Sequence, residues 1–203
     1  MKSRSRSGFL AALACAAATT VPALSDAATS VSVPLSCDRG PSGQHADLIV
    51  DVPATVDAGQ VFTVRIDGRG SGIISHTGLR YIHDMTTSVL VPAGTAYVSG
   101  SGRIVPNTGT ANVRPGARVS KQGGVVSMVL PAHVPDGGSY TPPSFEFQVQ
   151  VAAPPGTRIE QRFWQYRVTA KAIIIGDVHT VCDPTPKPYS IGSTTVKKSA
   201  SQP

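Results

Sequence analysis

The chain has 203 residues, 40% of them hydrophobic and 5% aromatic, with 18 Lys plus Arg against 12 Asp plus Glu for a net charge of +6. That length is enough for one substantial core. The basic residues are scattered, and the densest set (Arg103, Arg114, Arg118, Lys121) runs through Gly, Pro and Asn without an aromatic, which reads as a solvated loop region and excludes a stacking groove for nucleic acid.

Residues 1–28 carry the three parts of a secretory signal: Lys2, Arg4 and Arg6, an apolar run from Phe9 to about Leu24, and small residues before a cut after Ala27 or Ala28. The run is short and alanine-rich, whereas a spanning helix needs about 20 strongly apolar residues. No later run exceeds the size of a strand, Ala172-Ile173-Ile174-Ile175 included, so no transmembrane segment is expected. A secreted or cell-envelope location follows. The alternative is a lipoprotein anchored through Cys15, because Ala12-Leu13-Ala14-Cys15 loosely resembles a lipobox with Ala12 where Leu is expected. Removal of the signal leaves Cys37 and Cys182, and an even count in an oxidising compartment predicts a disulfide bond between them. The expected partner is an envelope protein or glycan, such as an anionic envelope polymer, and not nucleic acid.

One domain is expected over 29–190, followed by a flexible tail over 191–203 with Lys197, Lys198 and small polar residues. Along the domain, apolar residues alternate with polar ones. Leu48, Val50 and Val52 make the first such set, and Phe62, Val64 and Ile66 the second. The cleanest is Phe145, Phe147, Val149 and Val151 against Glu146, Gln148 and Gln150. Each predicts a strand with one face on a core. Turn chemistry separates them at Asp57-Ala58-Gly59, Pro92-Ala93-Gly94, Gln122-Gly123-Gly124 and Pro135-Asp136-Gly137-Gly138. The segment 158–175 lacks Gly and Pro, and at about 3.3 Å per residue it is too long for one straight strand. Its apolar phase flips from Ile159 and Phe163 to Trp164, Tyr166, Val168 and Ala170, so a bulge is expected near Phe163-Trp164. Many short strands between Gly/Pro turns predict a sandwich or barrel.

The run Pro53-Ala54-Thr55-Val56-Asp57-Ala58-Gly59-Gln60-Val61-Phe62-Thr63-Val64 looks like the opening of many bacterial immunoglobulin-like domains. Together with Leu35-Ser36-Cys37 and the stretch from Ile175 to Cys182, it resembles a family of secreted actinobacterial immunoglobulin-like β-sandwich proteins of uncharacterised function. The resemblance implies an all-β chain: an immunoglobulin-like antiparallel β-sandwich, a single domain with extra strands and paired terminal cysteines. It brings no catalytic residues.

His83-Asp84 lies in a strand-like stretch, where neighbours point to opposite faces and are not expected to pair directly. Histidines 45, 76, 83, 133 and 179 lack the spacing that puts two ligands on one metal, so no metal or other cofactor is expected. No serine stands in a Gly-x-Ser-x-Gly pattern, and the only glutamates, Glu146 and Glu160, fall on the polar sides of strands. The reading is therefore not an enzyme but an exported cell-envelope or extracellular binding or structural module. The alternative is a carbohydrate-binding or carbohydrate-active protein using Trp164 and Tyr166, which at strand spacing share a face as a sugar-stacking platform.

Overall fold

A computed structural model describes residues 28–40, 42–70, 77–106, 108–110 and 114–197. Residues 1–27 of the expected signal, Cys15 among them, His76 and residues 198–203 lie outside the described residues. The described chain is all strand, in the order β1 (Thr29–Cys37), β2 (Gln44–Asp51), β3 (Thr55–Asp57), β4 (Val61–Gly68), β5 (Leu79–Leu90), β6 (Thr95–Tyr97) and β7 (Arg103–Ile104). There follow β8 (Arg118–Gln122), β9 (Val125–Leu130), β10 (Val134–Pro135), β11 (Phe145–Val151), β12 (Arg158–Ala172), β13 (Gly176–Pro184) and β14 (Tyr189–Lys197).

All belong to one hydrogen-bonded sheet whose main path is β6-β11-β4-β2-β1-β13-β12-β5-β9-β8. The sheet curls at the β1–β13 seam, so Val50, Val64 and Phe147 of one layer meet Val89, Val126 and Phe163 of the other in a common core. This is the antiparallel immunoglobulin-like sandwich with extra strands, and the one parallel pairing is β3 with β14. The alternating sets of β2, β4 and β11 are buried as their period of two requires. Each such side chain contributes about 1.5–3 kcal/mol relative to exposure. The turn at Pro92-Ala93-Gly94 needs its glycine: Gly94 has φ +79°, and an added Cβ would lie 2.8 Å from the Ala153 Cβ.

The phase flip in β12 is real. Against β5, Phe163 pairs with Val89 and Gln165 with Ser88, so Trp164 is the extra residue of a bulge. Ile159 and Phe163 face the core before it, and Tyr166 and Val168 pack inward after it.

One expectation is corrected. Residues 191–197 are not a flexible tail but most of β14, whose Ile191 and Val196 are core residues. The pattern was hidden because Gly192, Ser193, Thr194 and Thr195 dilute the two apolar anchors; an added Cβ at Gly192 would approach Val50 Cγ1 to 3.2 Å, a tight contact. The long strand stops at Ala172, and residues 173–175 turn the chain into β13, with Gly176 at φ +81° closing the hairpin opposite Ala172.

Candidate functional site

The seam between the layers is short. β1 and β13 pair only at Leu35 with Pro184, Ser36 with Asp183 and Cys37 with Cys182. The last pair is the expected disulfide, with an S–S distance of 2.00 Å. Just beyond it, the Asp38 amide donates to the Val181 carbonyl at 3.0 Å, and the Val181 amide donates to Asp38 Oδ1 at 2.8 Å.

Past the seam, β12 and β13 run on as a ribbon that ends in three isoleucines with 61%, 92% and 73% of their surface exposed (Ile173, Ile174, Ile175). The turn is not loose, because the Ile173 amide donates to the Gly78 carbonyl at 2.8 Å. Beside it lies an apolar groove of about 390 Å³ lined by Leu79, Ala172, Ile174, Ile175, Val178 and Arg39. An interlayer cleft of about 410 Å³ opens at the same end, walled by Leu35, Ile82, Phe145 and Val168 and by the disulfide. Within it the Tyr140 and Tyr166 hydroxyls bond to each other at 2.7 Å. Burial pushes both phenols above their ordinary pKa, Tyr166 the further.

On the ribbon's other face stands a charged cluster. His83 Nδ1 is 2.6 Å from Asp84 Oδ2, which corrects the expectation that these neighbours point apart. Asp84 has φ +49°, and the β5–β12 register slips beside it between Arg167 and Thr169, so the strand's alternation is broken there. His83 Nε2 lies 3.5 Å from Asp177 Oδ1, and Lys171 Nζ lies 3.2 Å from the same oxygen. The Lys171 ammonium is the main cause that holds the Asp177 carboxyl below its ordinary pKa. The cluster ties the starts of β5 and β13 to the end of β12. Among the described residues no hydroxyl or thiol is bonded to His83, and no three His, Cys, Asp or Glu side chains gather to hold a metal.

The structure separates Trp164 and Tyr166, which the strand spacing had put on one face. Trp164, the extra residue of the bulge, is half-buried with Lys187 Nζ 4.2 Å from its ring centroid, while Tyr166 packs against both apolar clusters. Lys187 also reaches Asp183 at 2.6 Å, and Gln165 Nε2 donates to that carboxylate at 2.8 Å. The Lys187 hydrogen bond is the chief cause that lowers the Asp183 pKa. Sequence reasoning missed the isoleucine turn and the tyrosine pair. The three β-branched isoleucines favour a strand, and Gly176, which takes φ +81°, was the one local sign of a turn.

No protein-family model and no curated protein matches the chain. Among solved structures it is similar to a protein described as membrane-anchored from Corynebacterium diphtheriae, at 13% identity and a TM-score of 0.53, over 84% of this chain and 38% of that one. It is also similar to a cohesin module of a family 33 glycoside hydrolase from Clostridium perfringens (11% identity, TM-score 0.38, 76% of this chain and 98% of that one). A third is the RrgA Jo.In complex (12%, 0.37, 72% and 89%). The first likeness shows the fold, and this chain spans 38% of that protein's length. Among the described residues no helix is long and apolar enough to cross a membrane.

Proposed function

We propose that this chain is an exported, non-enzymatic binding or structural module of the cell envelope or extracellular space, a member of the secreted actinobacterial family it resembles. Its contacts are made by the end of the sandwich that carries the disulfide. The observation that carries this reading is the isoleucine turn: Ile174 is 92% exposed between two neighbours that are each more than half exposed. Three adjacent large aliphatic side chains held in water on a hydrogen-bonded turn form a contact surface. The Cys37–Cys182 bond supports export and fixes the root of the ribbon. The structural likeness at a TM-score of 0.53 is to a protein described as membrane-anchored, which agrees with a surface setting.

The test is affinity capture from solubilised native envelope with the mature, oxidised protein and with Ile174→Asp. An envelope protein or glycan enriched by the wild type and lost with the variant is expected. Equal recovery on both baits sinks the assignment of contacts to this end. The carbohydrate alternative now rests on Trp164 alone, which is half-buried beneath Lys187. It predicts a saturable change in tryptophan fluorescence with envelope oligosaccharides, and a flat titration removes it.

A further inference from the structure

We propose that the free edge of β13 and the isoleucine turn pair with the same surface of a second copy of this chain, forming a two-fold dimer. This deepens the binding role proposed above, on which it rests, by naming the partner. The first argument is the edge. β12 pairs with β13 from Gly176 to Cys182, whereas β1 reaches β13 only from Cys182 to Pro184. Residues 176–180 therefore have β12 on one side and, among the described residues, no strand on the other. An unpaired edge offers amides and carbonyls to another chain, and proteins that stay monomeric blunt it with charged side chains, Lys above all, with Pro or with bulges; here Asp177 is the one carboxylate. Gly176-Asp177-Val178-His179-Thr180 contains neither Lys nor Pro.

The second argument is shape. The exposed isoleucines of residues 173–175 border an apolar hollow of about 390 Å³, in which Ile174 and Ile175 form one wall and Leu79, Ala172 and Val178 continue it. One continuous apolar surface of ridge and hollow suits an isologous interface, because each copy presents the same patch to the other.

The third argument is register. Antiparallel pairing keeps the two inner faces on one side of the joined sheet only if the two-fold axis passes through a residue. Centring it on Val178 sets Gly176 against Thr180 and the exposed Asp177 against the exposed His179 of the other copy. Each turn then runs past the second copy's Thr180 toward its Arg39 and Gly40, at the end of β1, where the hollow lies. A lipid surface fits less well. The ribbon carries Asp84 and Asp177 beside Lys171 and His83, a mixed set without the basic surplus that an anionic bilayer attracts.

Sedimentation equilibrium of the mature, disulfide-intact protein across the micromolar range tests this. The expected mass rises to twice that of the monomer, and Ile174→Asp, at a site whose side chain is already in water, weakens association about 10- to 100-fold. Val178→Cys on the axis forms a covalent dimer under mild oxidation, whereas Gln150→Cys on the other layer does not. A monomer at every concentration, an unaffected Ile174→Asp dimer, or equal cross-linking of the two cysteine variants overturns the proposal. A monomer whose Ile174→Asp variant loses a captured envelope protein, or loses flotation with phosphatidylglycerol vesicles, overturns self-association but leaves the binding role standing. A monomer indifferent to the substitution in every assay removes both.

Discussion

Tyr166 shows how one side chain changes meaning once its environment is known. From the sequence it is half of an aromatic pair; in the fold its ring fills the space between two apolar clusters and its hydroxyl finds Tyr140 at 2.7 Å. A buried phenol needs such a partner, because an unpaired polar group in an apolar site costs about 1–3 kcal/mol. Tyr166→Phe keeps the ring and removes the bond, so a loss of about 1 kcal/mol is expected in urea denaturation. Alkaline pH tests the same pair differently. Both phenols titrate above the ordinary value of 10.0 because burial disfavours their charged forms. The unfolded chain therefore releases these protons first, so the stability is present in full below about pH 10 and is lost as pH rises toward the folded values. Ultraviolet absorbance of tyrosinate should show Tyr140 and Tyr166 ionising only as the chain unfolds. Ionisation of these two phenols in the folded protein would contradict the buried pair.

At the scale of elements, β14 separates what the sequence disclosed from what it withheld. Strands with strict alternation were legible because burial of one face demands it; β11, from Phe145 to Val151, is the clearest. The β12 bulge was legible because an extra residue reverses the facing and leaves a trace in the apolar phase. β14 was not, because it enters the core with two aliphatic anchors and a glycine, and is held also by pairing with distant β12 and β3. The isoleucine turn was opaque for the opposite reason: its residues favour strands, and only the tertiary hydrogen bond to Gly78 and the positive φ of Gly176 bend the chain there. Asp84 escaped likewise, since strand alternation says nothing of a local left-handed residue. If β14 is a core strand, Ile191→Ala leaves a cavity worth about 2–5 kcal/mol, and a chain ending at residue 190 does not fold. Thermal denaturation followed by circular dichroism checks both, and a truncated chain with an unchanged transition would restore the flexible tail.

For the whole molecule, the disulfide matters through the path it closes. The bonded cysteines are 145 residues apart, nearly the whole described chain, and the seam they lock has only three paired positions. In the chain-entropy account a loop of that size stabilises the folded state by up to about 5 kcal/mol. The two layers also meet through the common core and through β14, which follows Cys182 and docks on β12 and β3 without crossing the seam. Loss of the bond should therefore weaken the sandwich throughout but open it at one place. The Cys37→Ser/Cys182→Ser double variant is expected to lose about 3–5 kcal/mol in urea. Native-state hydrogen exchange of that variant should release the amides of 35–37 and 180–184 ahead of those of β4 and β11, which sit in the middle of their layer. Uniform release would mean that the seam and the core unfold as one unit. An unchanged denaturation midpoint would mean that the core alone sets the stability, leaving the bond to serve the ribbon whose root it fixes.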